Sequence, residues 1–229
     1  MNVELDDGIA TITLDDGKVN ALGHALLDSL EQALDHLETE AEAIILTGRE
    51  GTFSGGFDLR EIKKGPREAA ALANRGAELF HRLYGYPMPV IGACTGHAIA
   101  AGAFTLLCCD TRIGADGGFK IGLNETAIGM RHLPWGHELI ASRIPKTRVT
   151  EAVIQARLYS PVEAVDVGYL DEIVDPQELF DHCQELAREL KKLPGKSYAE
   201  MKLDVRKDHL ARIQDIIDAE KLSAHRSGS

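Results

Sequence analysis

Apolar and polar residues alternate from Val3 to Leu5 and again from Ile9 to Leu14, on either side of Asp6-Asp7-Gly8. A period of two interrupted by Asp-Gly predicts a hairpin of two strands. Past Lys18-Val19-Asn20-Ala21 the period changes. Leu22, Leu26, Leu30, Ala33, Leu34 and Leu37 recur at helical spacing with Asp28, Glu31, Asp35 and Glu38 between them, which predicts an amphipathic helix. Ala43 to Leu46 reads as a short buried strand closed by Thr47-Gly48. A further strand ends near Phe53, Gly55 and Gly56 turn the chain, and Asp58 is placed to start a short helix. Pro66 opens a longer helix running to about Tyr84, stopped by Tyr86-Pro-Met-Pro89.

The stretch from Pro89 to Asp116, PVIGACTGHAIAAGAFTLLCCDTRIGAD, organises the rest. An apolar run breaks at Thr95-Gly96, passes through Ala98, Ala100, Ala101, Gly102 and Ala103, and resumes from Phe104 to Cys109. This pattern predicts a buried strand, a tight bend, and a buried helix whose first turn carries almost no side-chain bulk. Such a helix start lets a ligand lie against backbone N–H groups. Close packing of two elements would call for the same small residues. Phe119 to Ile121 then reads as a strand leading into Gly122-Leu-Asn-Glu-Thr126 and a loop with His132, Pro134 and Trp135. Beyond it the chain reads as helical. Ser160-Pro161-Val-Glu163 and Asp175-Pro176-Gln-Glu178 both have the form of a capping box with proline at the first helical position. The helix after Asp175 carries Leu179, Cys183, Leu186, Leu190 and Leu193 on one face; a last helix after Pro194-Gly195 carries Leu210, Ile213 and Ile217. Apolar stripes at a chain end suggest helices that cover a partner subunit. The final Ser-Gly-Ser is expected to fray. Strands alternating with helices, then mostly helices, give an α/β class with a core over 1–190 and a helical region over 191–229.

Composition narrows the function. The chain has 229 residues, 44% hydrophobic and 27% charged, enough for a sizeable core. A net charge of -11 argues against a nucleic-acid surface, while leaving room for a small anionic ligand. The acidic start MNVELDDGIA lacks a secretory pattern, no apolar run reaches the ~20 residues of a membrane span, and the expected compartment is the cytoplasm. Cys94, Cys108, Cys109 and Cys183 sit mostly in apolar patterns and read as buried thiols.

Two small-residue bends, at 54 to 58 and 96 to 103, each fall where a strand meets a helix. Two convergent backbone N–H groups there would form an oxyanion hole, worth ~3–4 kcal/mol per donor toward a developing negative charge. The first bend is no phosphate loop, since no lysine follows its glycines. Glu125 follows a strand end between Leu123 and Ala127. A carboxyl in apolar surroundings can both take and return a proton. A surface charge or a helix-start carboxylate would look the same in sequence.

The order FSGGFDLRE, PVIGACTGHAIAAG, CDTRIGAD and then a glutamate resembles the crotonase (enoyl-CoA hydratase/isomerase) superfamily, from the opening hairpin through the helix at Ser160-Pro161-Val-Glu163-Ala164. The resemblance implies a spiral of ββα units, C-terminal helices for assembly into a trimer or dimer of trimers, and an acyl-CoA substrate. It implies no cofactor beyond that coenzyme A and no metal; the short apolar runs and the net charge argue against a membrane and a nucleic-acid partner. It places the two amides at Phe57 and Ala101, next to Gly56, and the coenzyme A moiety near Asp58, Leu59 and Arg60. Hydratases of the family carry a glutamate where this chain has Phe104; the family's other glutamate matches Glu125. The family usually has glycine at 101 and a smaller residue at 57. Ile121-Gly-Leu-Asn-Glu-Thr126 with Pro134-Trp135 is similar to the mitochondrial-type Δ3,Δ2-enoyl-CoA isomerase subgroup, which is also apolar at the Phe104 place. A double-bond shift needs one base, so the resemblance implies an isomerase with Glu125 as acid and base. The alternatives are hydration or another acyl-CoA reaction, such as thioester hydrolysis, on the same hole, and a non-catalytic acyl-CoA binder.

Overall fold

A computed structural model of the chain describes residues 1–227, with side chains described through Leu222. The Ser-Gly-Ser end, expected to fray, falls largely on residues 228–229, outside the described residues. The chain opens with the antiparallel hairpin β1 (Asn2–Asp6) and β2 (Ile9–Leu14). Asp7 and Gly8 both have positive φ, 44° and 74°, as the tight turn between twisted strands requires. There follow α1 (His24–Glu40), β3 (Ala43–Gly48), β4 (Gly51–Ser54), α2 (Leu59–Ile62) and α3 (Pro66–Tyr84). Next come β5 (Val90–Cys94), β6 (Gly96–Ile99), α4 (Ala101–Cys108), β7 (Thr111–Ala115) and β8 (Ile121–Gly122). The remainder is α5 (Pro134–Arg143), α6 (Pro161–Val167), β9 (Glu172–Val174), α7 (Leu179–Leu190) and α8 (Gly195–Ser227).

The strands fall into two sheets, ordered β1-β2-β3-β5-β7-β9 and β4-β6-β8. Each repeat places its first strand in the large sheet and its second in the small one, and then advances one position in both. All pairings after the hairpin are parallel, from β2 with β3 to β7 with β9. Parallel strands need a crossover between them, and helices supply it. The middle strands β3 and β5 are buried at every position, as expected where both faces of a sheet are covered. Ile44 and Leu46 join the main core with α1, α3 and α4. Ala43, Ile45, Ile91, Ala93 and Ile113 point the other way, onto Leu179, Cys183 and Ala187 of α7. All four cysteines are buried and free.

Several expectations are corrected. Residues 96–99 are a strand of the second sheet; they do not continue into the helix, which begins at Ala101. Only Thr95 separates β5 from β6, so the chain changes sheets within one residue. Leu22 is not in α1: it pairs with Phe57 as an isolated parallel bridge, and the buried stripe of the helix is Leu27, Leu30, Leu34 and Leu37. The second half is not all helical, because β9 extends the large sheet beside β7, where Arg112 grips Asp171 through Nε at 2.9 Å. Ser160 and Glu163 form the expected capping box, but Asp175 does not cap α7. Its carboxylate accepts from the Gln177 amide at 2.9 Å in the turn that follows β9, which delays the helix to Leu179.

The stripes of the last two helices cover the chain's own core. Leu179 and Cys183 seal the large sheet, and Leu210, Ile213 and Ile217 are buried in the main core, where α8 lies against α3 and α5. A buried cation fixes α8. Lys202 Nζ donates to the carbonyls of Tyr86 (2.8 Å) and Met88 (2.7 Å) and to Asp110 Oδ2 (2.6 Å). Asp110 Oδ2 also accepts the Val90 amide at 2.8 Å, so one carboxylate joins α8 to the start of β5. No described helix is long and apolar enough to cross a membrane.

Candidate active site

The first bend hangs from the end of β4. Asn20, fully buried and at φ 53°, donates Nδ2 to the carbonyls of Thr52 and Phe53, both at 3.1 Å. Ser54 Oγ donates to the Asn20 carbonyl at 2.8 Å, and the Gly55 amide donates to the Val19 carbonyl at 2.7 Å. The Gly56 amide is held by Ser54 Oγ, and the Asp58 amide by the Leu22 carbonyl at 3.2 Å. The Phe57 N–H, between these, has no protein acceptor among the described residues. Asp58 then caps α2, accepting the Arg60 amide at 2.8 Å. The Arg60 guanidinium hydrogen-bonds the same carboxylate and holds it below the usual carboxylate range. The Arg60 side chain is 77% exposed and Leu59 half exposed, so both lie at the outer edge of the bend.

The second bend joins β6 to α4. The Ala100 amide donates to the Gly122 carbonyl at 2.9 Å, and its carbonyl accepts the Phe104 amide at 3.1 Å. The Ala101 N–H is one of the first-turn donors that a helix leaves without an internal acceptor. The two bends touch. A Cβ on Gly56 would lie 3.2 Å from Ala101 N, and one on Gly102 would lie 2.3 Å from the Ser54 carbonyl oxygen. Ala100 holds φ 54° and ψ -121°, a conformation that suits glycine. Ala100→Gly is therefore expected to stabilise the fold by about 1 kcal/mol, strain relief outweighing the added freedom of the unfolded chain. A urea midpoint below that of the parent would refute this.

Glu125 opens a single 3₁₀ turn, Glu125–Ile128, just after β8. It lines a cavity of about 70 Å³ together with Phe57, Phe104, Met130, His132 and Trp135. Larger hollows of about 310 and 540 Å³ lie along the α7–α8 connection and include neither bend. Glu125 is the one carboxylate lining the small one. Its Oε1 is 3.4 Å from His132 Nδ1 and its Oε2 has no partner. An aromatic wall backs the carboxylate. The Phe104 ring stands edge-on to His132 at 5.4 Å and tilted to Trp135 at 5.2 Å, and Phe80 packs between Phe57 and Trp135. The bulk of Phe57 turns toward α3, where Gly76 makes room for it, and Gly136 does the same for Phe104. Ala101 is buried in the main core, leaving its N–H as its polar feature.

The structure thus brings Phe57, Phe104 and Glu125 to one small cavity and sets Gly56 against Ala101 where the two bends touch, with Asp58, Leu59 and Arg60 on the outer side of the first bend. Sequence reasoning left Asn20, Met130, His132 and Trp135 without roles. Asn20 carried one signal, a polar residue directly before the apolar stripe of α1; His132 carried none beyond its loop. Among the described residues, no group of three or more His, Cys, Asp or Glu side chains is placed to hold a metal ion.

The enoyl-CoA hydratase/isomerase family model matches residues 4–226. The chain superposes on the crystal structure of an enoyl-CoA hydratase/isomerase family protein from Pseudomonas syringae with a TM-score of 0.93 and 39% identity, over 96% of each chain. It is 31% identical to the mouse mitochondrial enoyl-CoA delta isomerase 1 over 195 residues, 83% of this chain and 68% of that protein. It is 29% identical to a probable enoyl-CoA hydratase of Bacillus subtilis over 192 residues, 82% of this chain and 74% of the other. With two sheets wound as a spiral, a match along nearly its whole length and relatives of both names, the chain belongs to the enoyl-CoA hydratase/isomerase family, the crotonase superfamily.

Proposed function

We propose that the protein shifts the double bond of a 3-enoyl-CoA to the 2-trans position, in the manner of fatty-acid β-oxidation, with Glu125 as its acid and base. The observation that carries this reading is the single carboxylate of the cavity, with a buried unpartnered oxygen, beside a phenylalanine at the place of the second acid. Glu125 takes a proton from C2; the electron pair moves through the thioester to its oxygen, giving a dienolate. The Phe57 and Ala101 N–H groups receive the negative charge on that oxygen. Glu125 returns the proton at C4, and the double bond closes between C2 and C3. No water enters and no atom is lost. Hydration would need a water held and split by two acid–base groups, and Phe104 supplies none.

Around this chemistry, Gly56 and Phe104 shape the acyl site, and Asp58, Leu59 and Arg60 receive part of the coenzyme A moiety; no further cofactor takes part. The enzyme works in the cytoplasm as a homotrimer or dimer of trimers, and its acidic charge keeps nucleic acid away. Turnover of 3-enoyl-CoA esters of graded length, with 2-trans-enoyl-CoA as control, tests the reading. Isomerisation is expected to exceed hydration by at least about 100-fold, the smallest usual contribution of a positioned acid–base group. Water addition at a rate matching isomerisation would overturn it.

A further inference from the structure

Buried polar atoms almost always find partners, so a cluster of unpartnered ones calls for a reason. Among the described residues, eight buried side-chain nitrogens and oxygens lack a hydrogen bond, and four of them belong to Glu125, His132 and Trp135. His132 accounts for two, Nδ1 and Nε2. Its side chain is 5% exposed, against 11% for Glu125, so neither group has bulk water to satisfy it. The ring is held between two others, Phe104 at 5.4 Å and 85°, and His137 at 6.0 Å and 87°. Held in this way, it presents Nδ1 to Glu125 Oε1 at 3.4 Å, while Oε2 is buried without a partner. Catalytic contacts are commonly long before substrate binds and tighten afterwards. A histidine kept only for packing would do better as leucine or phenylalanine, since its nitrogens gain nothing from the site.

We infer that His132 is a positioning residue for Glu125: its Nδ1–H holds Oε1 and so fixes the carboxylate for the proton shuttled between C2 and C4. This rests on the reading of Glu125 as the base. Phe104 acts here as well. Where a hydratase would have its second acid, this chain has the ring that fixes the plane of His132.

The test compares His132→Leu, His132→Asn and Glu125→Gln in the full chain, with kcat, KM and Tm measured on a 3-enoyl-CoA ester. His132→Leu is expected to lower kcat about 100-fold, the usual consequence of misplacing a reacting group. KM should stay near that of the parent, and Tm should be equal or higher because two unpartnered buried nitrogens are gone. His132→Asn, whose amide can donate from nearly the same place as Nδ1, should restore most of kcat. Full kcat in His132→Leu, with Glu125→Gln inactive, overturns this role alone. Equal losses in both His132 variants together with a lowered Tm overturn it too, since that is the signature of a structural side chain. An active Glu125→Gln overturns the base assignment and this inference with it.

Discussion

Glu125→Gln is expected to lower kcat for a 3-enoyl-CoA ester by about 1000-fold, within the usual range for removing a positioned acid–base group. Glutamine keeps the size of the side chain and loses only the ability to take a proton. On the proposed mechanism the thioester would still meet the Phe57 and Ala101 amides, so affinity for the ester should hold within about twofold. Calorimetric titration with a saturated acyl-CoA ester, which has no double bond to move, measures that affinity apart from turnover. The fold should also be unaffected, as Glu125 Oε2 makes no hydrogen bond that would be lost. A variant that keeps more than a tenth of the parental rate would remove Glu125 from the mechanism.

The largest effect on stability is expected at the other end of the molecule. Lys202→Met should destabilise the fold by about 3–5 kcal/mol, the usual cost of removing one member of a buried ion pair. Lys202 is a buried cation that satisfies two carbonyl oxygens and one carboxylate oxygen. Burial lowers the pKa of its ammonium group, and Asp110 opposes that shift without cancelling it. Methionine fills a similar volume but leaves the Tyr86 and Met88 carbonyls without this donor. Asp110 would keep Arg206, 2.8 Å from its other oxygen, which favours the lower end of the range. Urea denaturation measures the difference; a loss under 1 kcal/mol would show that water replaces the ammonium without cost.

Local patterns were legible where a short segment determines its own structure. Asp7-Gly8 dictates the hairpin, Ser160 and Glu163 close a capping box, and Asp58 caps α2 as its position suggested. The two bends were legible because both need small residues in a recognisable order. What could not be read depends on pairing across long distances. The run from Ala98 to Ala103 suits either a strand or a helix, and β6 becomes a strand only because β4 and β8 flank it. β9 has three residues and exists by virtue of its pairing with β7. Leu22 has helical spacing, yet Gly56 and Asp58 capture its backbone on either side. The apolar stripes of α7 and α8 were visible, but which surface they cover was not: a stripe records that something is buried and not against what. Lys202 looked like any lysine on a long helix. Its burial follows from the carbonyls at the end of α3 and the carboxylate after α4, which no local pattern announces. In the site itself, His132 had no motif, since its contact with Glu125 is made by the loop's path.

The two parts of the candidate site sit in different surroundings. One amide is borne by a bend wedged between β4, β6 and α4, where even one methyl group on Gly102 would collide with backbone. The carboxylate stands on a single turn whose next four residues, Thr126 to Gly129, are exposed. On the proposed mechanism, the thioester end of a substrate would meet the tightly packed bends, and the reacting carbons the turn with exposed neighbours. Lineages built on this frame could alter the reaction, or the chain accepted, by rewriting the segment from Glu125 to Trp135 and leaving the two amides in place. A frame that tolerates such rewriting is well suited to carry more than one chemistry, with new activities arising as edits to one loop.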